Sequence, residues 1–242
     1  MCAVRSAGEP PATRLAHVER ADGLGAGLDA LGLRRGRPVV VLVGGADGMA
    51  EEDRTLVDGM VRRAVFPLLN RLDAAVVDGG TDSGVMRVVG RARAASGGRF
   101  PLVGVVARGT VAAPGSAGGD AEVLEPFHTH VLLVPGSDWG DESPWLVDVA
   151  SAIAAGEPTV TLVVNGGAIT YDDIGRSLGA GRPVVVVAGT GRAADDVAAA
   201  SAGRTSNARA ERVAASPLTS VVELRDHDAV AAALESTLEP RP

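Results

Sequence analysis

The sequence predicts an α/β protein of the Rossmann-like type, a three-layer sandwich with a mainly parallel sheet of about seven strands. Short β-branched runs, of which residues 39–43 are the clearest, alternate with segments at helical spacing. Continuous apolar runs are typical of strands buried on both faces, as in parallel sheets with right-handed crossovers. Five of these runs end in Gly-Gly, Gly-x-Gly or Pro-Gly. Parallel strands place such turns at one edge of the sheet, where ligands bind.

The composition narrows the class of protein. The 242 residues are 46% hydrophobic but only 2% aromatic, so aliphatic side chains must fill the core of a globular chain. The net charge is −7 and all 23 basic residues are arginine. The absence of lysine excludes a P-loop lysine and a Schiff base, and an acidic chain without basic clusters argues against a nucleic-acid partner. No apolar run is long enough for a membrane span, so we expect no membrane partner and a cytoplasmic protein.

The chain is expected to begin with a flexible lead-in, residues 1–22, followed by a single ligand-binding domain, residues 23–242. The lead-in has prolines and scattered charges without periodicity, whereas leucines at helical spacing predict a helix over residues 24–33. The β-branched runs then predict seven strands, over residues 39–43, 74–77, 102–106, 130–134, 159–164, 184–187 and 221–224.

Helical patterns lie between the predicted strands. Ser143 and Pro144 supply a cap and a first-turn proline for a helix over residues 143–154. Residues 109–120 form a loop rich in Gly, Ala, Pro and Ser, and long loops in compact domains are usually functional or disordered. A polar stretch, residues 203–216, leads to the last strand. The other predicted helices cover residues 51–69, 84–95, 170–178, 193–200 and 228–238.

The most distinctive turn covers residues 78–84, Asp-Gly-Gly-Thr-Asp-Ser-Gly, between a predicted strand and a helix. Its glycines let the backbone turn sharply, and the open N–H groups of the next helical turn would bind a phosphate. The alternative is a capped turn without a ligand, but similar turns at other strand ends favour binding. The predicted ligand-binding residues are Gly44, Gly45, Gly79, Gly80, Thr81, Asp82, Ser83, Gly84, Pro135, Gly136, Trp139, Asn165, Gly166, Gly167, Gly189, Thr190, Gly191 and Arg192.

Four side chains near these turns carry alternative interpretations. Arg192, beside a Gly-Thr-Gly turn, is suited to a phosphate. Trp139 either stacks on a nucleobase or packs under a loop. His128 and His130 would share one face of an extended strand, which is compatible with a metal pair or with two hydrogen-bonded histidines. Since no third ligand is specified, neither a metal nor a cofactor is predicted.

Four segments together resemble the prokaryotic branch of the SLOG superfamily, which is related to the N-terminal domain of melastatin-type TRP channels. The resemblance implies a Rossmann-like fold that binds or senses a small nucleotide-derived ligand, with ADP-ribose and NAD-like molecules as the leading class. It leaves open whether the chain forms a homo-oligomer. The segments are residues 77–86, residues 128–130 with 134–143, residues 164–167 and residues 188–195.

The same superfamily contains phosphoribohydrolases, which makes a hydrolase of a nucleotide-derived ligand the alternative function. Their motif Pro-Gly-Gly-x-Gly-Thr-x-x-Glu falls on residues 165–173, where Ile169 replaces the third glycine and Asp173 the catalytic Glu. The lost glycine and the shorter carboxylate favour a sensor over an enzyme. If the chain is an enzyme, the predicted catalytic residues are Asp173 and Asp82. A scaffold with a vestigial site is a third hypothesis.

Overall fold

The computed structural model describes residues 12–45, 49–111 and 122–239, which contain a single sheet of eight parallel strands. The predicted fold class, a Rossmann-like α/β sandwich, is confirmed. Seven of the strands correspond to the predicted ones, and one more lies at an edge of the sheet. The strands are β1 (Arg14–His17), β2 (Val39–Gly44), β3 (Ala75–Asp78), β4 (Leu102–Ala107), β5 (His130–Val134), β6 (Thr159–Val164), β7 (Val184–Ala188) and β8 (Thr219–Glu223).

The strands are ordered β1-β5-β4-β3-β2-β6-β7-β8. From β2 the chain builds outward through β3, β4 and β5. It then returns to pair β6 with the other side of β2, with Val39 opposite Thr159 and Gly44 opposite Val164. The direction of winding therefore reverses between β2 and β6, and open α/β sheets bind ligands at such a switch point.

Helices cover both faces of the sheet. A π-helical segment, Val61–Val65, joins two of them into one continuous rod. None of the helices in the described ranges is both long and apolar enough to cross a membrane. The α-helices are α1 (Leu24–Leu31), α2 (Glu51–Met60), α3 (Phe66–Leu72), α4 (Gly84–Ser96), α5 (Ser143–Ala154), α6 (Ala168–Gly179), α7 (Arg192–Ser201), α8 (Ala208–Ala214) and α9 (His227–Leu238).

Alternate residues of the central strands enter cores on opposite faces of the sheet. In β2, Val40 and Leu42 pack in the core that includes side chains of α2, α4 and α9. Val41 and Val43 pack in the other core, with side chains of α1, α5 and α7. Because both faces are buried, the strand is apolar throughout, and each fully buried side chain contributes on the order of 2 kcal/mol. The two cores thus fix the strand ends that form the site.

Two short elements differ from the sequence prediction. Arg14–His17 lie within the predicted flexible lead-in but form β1, which pairs with β5. A four-residue strand with one buried side chain is too short to show an alternating apolar pattern in the sequence. Its formation depends on pairing with β5. Ala208–Ala214 lie within the predicted polar stretch but form α8, where the Asn207 side chain accepts the first-turn N–H groups. Residues 1–11 of the lead-in and 112–120 of the predicted loop lie outside the described residues.

Candidate functional site

A cleft of about 400 Å³ opens at the carboxyl edge of the sheet, beside the switch point. Because every strand pair is parallel, the turns after β2, β3, β5, β6 and β7 all lie at this edge, as the sequence predicts. The walls come from the ends of β2 and β3 and from the first residues of α4, α5 and α6. Seven of the predicted ligand-binding residues line the cleft: Gly44, Gly45, Gly79, Thr81, Trp139, Gly167 and Arg192.

The other predicted ligand-binding residues do not line the cleft. Several of them hold the lining residues in place through hydrogen bonds, as described below. They are Gly80, Asp82, Ser83, Gly84, Pro135, Gly136, Asn165, Gly166, Gly189, Thr190 and Gly191. The lining also includes residues that were not among the predicted ligand-binding residues. Apart from Glu122, which lies outside the strands and helices, they share a position at a strand end or near the start of a helix. They are Leu42, Val43, Met86, Glu122, Glu142, Leu146, Ala168, Ile169 and Thr170.

Gly44 allows β2 and β6 to approach each other at the switch point. A Cβ built on Gly44 would lie 2.2 Å from the carbonyl oxygen of Val164 and 2.9 Å from Cγ1 of Val85. No side chain fits there without moving backbone. The glycine is therefore required by strand and helix packing, whether or not a ligand is bound.

The turn between β6 and α6 is held by hydrogen bonds to the neighbouring turn after β7. The backbone N–H of Asn165 donates to Oγ1 of Thr190 at 2.7 Å, and its side-chain amide donates to the Thr190 carbonyl at 2.6 Å. The N–H of Gly167 donates to Oγ1 of Thr170 at 3.1 Å, which closes the start of the helix. The side chains of Asn165 and Thr190 thus position the first turn of α6 without contacting the cleft.

The positive end of α6 opens into the cleft beside a cation. Ala168 and Ile169 line the cleft, and within the described ranges their backbone N–H groups have no acceptor outside the helix. The guanidinium of Arg192 lies against this turn, since a Cβ built on Gly167 would be 3.0 Å from its Nη2. Open first-turn N–H groups and a guanidinium both bind anions. This part of the cleft is suited to a phosphate.

At two other helix starts on this edge, some of the first-turn N–H groups donate to carbonyl oxygens of other turns. At α7, the N–H groups of Ala193 and Ala194 donate to the carbonyl oxygens of residues 166 and 165, at 3.2 and 3.1 Å. At α4, the N–H of Val85 donates to the Gly45 carbonyl at 3.3 Å. These N–H groups do not point to a ligand.

Residues 122–128, named the strap here, are hydrogen-bonded to the glycine turn after β3. The N–H of Asp82 donates to the Val123 carbonyl at 2.7 Å, and the N–H of Glu125 donates to the Gly80 carbonyl at 3.0 Å. The N–H of Ser83 also donates within the turn. In the turn predicted to be the phosphate cradle, the N–H groups of Gly80, Asp82 and Ser83 thus have acceptors within the protein. Those of Gly79, Thr81 and Gly84 have none among the described residues.

A buried ionic triad, which no sequence motif indicated, anchors the strap. Nε2 of His128 lies 2.8 Å from Oδ1 of Asp78, and its Nδ1 lies 2.8 Å from Oε2 of Glu125, with all three side chains fully buried. Burial opposes the imidazolium, but the two carboxylates outweigh it and raise the pKa of His128 to about 9. Asp78 Oδ1 also accepts the Gly80 N–H at 2.8 Å. The triad therefore connects the strap to the turn that forms the cleft rim.

Two of the three carboxyl groups that line the cleft, those of Glu142 and Asp173, form its acidic part. Asp173 is only 8% exposed, and its Oδ1 and the Oγ of Ser143 have no hydrogen-bond partner among the described residues. Burial raises the pKa of Asp173 to about 6, against an opposing effect of the Ser143 hydroxyl, and the charges of Glu142 and Asp172 add to the rise. Burial also raises the pKa of Glu142. Carboxyl groups that titrate closer to neutral pH are suited to proton transfer or to accepting ligand hydroxyl groups.

Asp82 and the two histidines lie away from this acidic part. The carboxylate of Asp82 pairs with Arg87 at 2.9 Å and with Arg91 at 3.6 Å, so the second predicted catalytic residue does not reach the cleft. His130 has a partner of its own, since its Nδ1 lies 2.7 Å from Oγ1 of Thr129. His128 and His130 thus do not act as a pair. Among the residues that the structure describes, no group of His, Cys, Asp and Glu could hold a metal ion.

A doubly wound parallel sheet with a cleft at its switch point defines a Rossmann-like α/β protein. The chain belongs to the prokaryotic SLOG family, because the model described as "SLOG in TRPM, prokaryote" matches residues 37–233. Members of this family bind nucleotide-derived ligands or act on them. The fold is similar to that in the X-ray structure of TM1055, a structural genomics target, with a TM-score of 0.53 and 20% identity over 83% of this chain and 99% of that chain. No curated protein matches the chain.

Proposed function

We propose that the protein binds a nucleotide-derived ligand of the ADP-ribose or NAD type in the cleft and acts as its sensor. The observation that carries the proposal is the first turn of α6, which opens into the cleft beside Arg192. A phosphate there accepts hydrogen bonds from the N–H groups of Ala168 and Ile169 and pairs with the guanidinium. Membership of the SLOG family supports a nucleotide-derived ligand as the class.

The acidic part of the cleft fits the sugar of such a ligand. The Oδ1 of Asp173 is buried and makes no hydrogen bond of normal geometry among the described residues, although the Ser143 hydroxyl lies close enough to lower the pKa of the carboxyl group. A buried acceptor left in that state costs free energy. A ribose hydroxyl supplies the donor. The same ligand can thus satisfy a phosphate site and a hydroxyl site within one cleft.

A thermal-shift experiment with ADP-ribose, NAD and AMP tests the proposal. A ligand at a hundred times its Kd stabilises the folded state by about 2.7 kcal/mol, which raises Tm by about 5 to 10 °C for a chain of this size.

Arg192→Gln should weaken binding by about tenfold or more, because a charge-assisted phosphate contact is lost. Arg204→Gln is the matched control, since Arg204 is exposed beyond the end of α7. No shift with any of the three compounds would contradict the proposal.

A hydrolase remains the second candidate, and the environment of Asp173 favours it. A nearly buried carboxyl group with a pKa of about 6 is suited to general acid–base catalysis at a ribosyl carbon. Incubation with NAD, ADP-ribose and AMP should then release nicotinamide, ribose 5-phosphate or adenine. Product release that Asp173→Asn abolishes and Asp82→Asn leaves intact would establish the enzyme, whereas tight binding without products supports the sensor.

A further inference from the structure

Exposed apolar side chains are concentrated at the cleft. The described residues expose four large ones, and two of them, Trp139 at 46% and Ile169 at 37%, line the cleft. A third, Val123, adjoins the lining residue Glu122 in the strap. The fourth, Leu15, lies on the edge strand β1. Single exposed apolar residues are ordinary, but their clustering around a concave site marks a surface that a ligand covers.

Trp139 is held on an ordered loop between β5 and α5. One carboxylate oxygen of Asp141 accepts the N–H groups of Ser137 and Asp138, at 3.0 and 3.1 Å. The N–H of Gly140 donates to the carboxylate of Glu142 at 3.0 Å. An indole on a loop fixed in this way offers a flat surface to a ligand at little additional entropic cost.

The loop packs directly on the first turn of α6. A Cβ built on Gly140 would lie 3.5 to 3.7 Å from three side-chain carbons of Ile169, which is ordinary contact distance. Ile169 thus serves two parts of the cleft. Its backbone N–H belongs to the open first turn of the helix, and its side chain joins Trp139 at the apolar surface.

We propose that Trp139 and Ile169 form the subsite for an aromatic nucleobase, with the base stacked on the indole and its edge covered by Ile169. The inference rests on the proposed function, because the phosphate at α6 fixes the other end of the ligand. Stacking uses the π face that every base has, so the subsite distinguishes nucleotides from sugar phosphates without reading the identity of the base.

A comparison of AMP with ribose 5-phosphate tests this subsite, because the two differ only by the base. The parent protein should bind AMP about tenfold more tightly than ribose 5-phosphate. Trp139→Leu should remove this preference while leaving the affinity for ribose 5-phosphate unchanged, and Trp139→Phe should retain most of it. Leu15→Ala is the matched control and should change neither affinity.

Tryptophan fluorescence gives an independent measurement. The chain has two tryptophans, so Trp145→Phe leaves Trp139 as the only one, and AMP should quench its emission whereas ribose 5-phosphate should not. Equal affinities for the two compounds, or equal weakening of both by Trp139→Leu, would overturn the base subsite and leave phosphate binding intact. If the parent protein binds neither AMP nor ribose 5-phosphate, the base subsite is overturned as well. If it also binds neither ADP-ribose nor NAD, the proposed function is overturned too.

Discussion

Burial changes the chemistry of a single carboxyl group at Asp173. The side chain lies in the first turns of α6 with 8% of its surface exposed, and water cannot solvate its charge fully. Its pKa of about 6 is well above the ordinary value of 3.8, so the folded state favours the protonated form. The stability that this group contributes is complete below pH 3.8 and is lost as the pH rises through about 6.

Asp173→Asn should therefore stabilise the protein at pH 8 and have little effect at pH 4. The amide needs no ionisation, and a pKa difference of about two corresponds to a gain on the order of 3 kcal/mol in the free energy of unfolding. Urea unfolding at the two pH values measures the difference. Asp172→Asn is the control, because Asp172 is exposed and paired with Arg209. An Asp173→Asn variant that is less stable than the parent at pH 8 would show that the ionised carboxylate has a stabilising partner.

At the scale of elements, the strap and the turn after β3 depend on each other. Gly80 has a φ of +65°, and a Cβ there would lie 2.8 Å from the Cα of Gly104, so the turn packs against β4 with no side chain between. The strap covers the turn from the other side through backbone hydrogen bonds. Substitution of Gly80 by a larger residue would therefore disrupt the turn itself, and Arg192 is the better position for a test of ligand binding.

His128→Gln should destabilise the protein by about 3 to 5 kcal/mol, because it leaves two buried carboxylates facing each other without the imidazolium between them. The groups around the imidazole are Asp78 and Glu125, and Arg93 on α4 also attracts Glu125. The pKa of His128 is raised from 6.5 to about 9, so its stabilisation is complete below pH 6.5 and is lost as the pH rises through about 9. Urea unfolding at pH 6.5 and pH 9.5 should show this loss in the parent.

A second substitution separates charge from packing at the triad. Glu125→Gln added to His128→Gln removes one of the two facing carboxylates and should recover part of the lost stability. If the double variant is as unstable as the sum of the single variants, the charges of the triad do not interact as described.

At the scale of the whole molecule, the strands at the switch point of the sheet are more shielded from solvent than the edge strand β8. β2 pairs with strands on both sides and is buried on both faces, whereas β8 pairs only with β7 and has no fully buried residue. The cleft thus lies over a part of the sheet that is buried on both faces.

Hydrogen exchange should follow this order of burial. Amides of β2 and β6 should exchange on the order of a hundredfold more slowly than those of β8, since edge strands open locally without global unfolding. Peptide-level mass spectrometry under native conditions measures the rates. Equal protection of β8 would contradict the expectation and would indicate that another copy of the chain covers this edge.

The sequence by itself determined the fold class, seven of the eight strands and the edge at which the glycine turns meet, because apolar periodicity and turn composition are local properties. It also determined the family, through the residues of those turns. Only the tertiary structure decided which first-turn N–H groups are taken up by the protein, since the acceptors of Val85 at α4 and of Ala193 and Ala194 at α7 come from other turns. The same holds for the triad, in which His128 and Asp78 are 50 residues apart. Hydrogen-bond satisfaction and burial depend on groups that are distant in the chain, and folding alone brings them together.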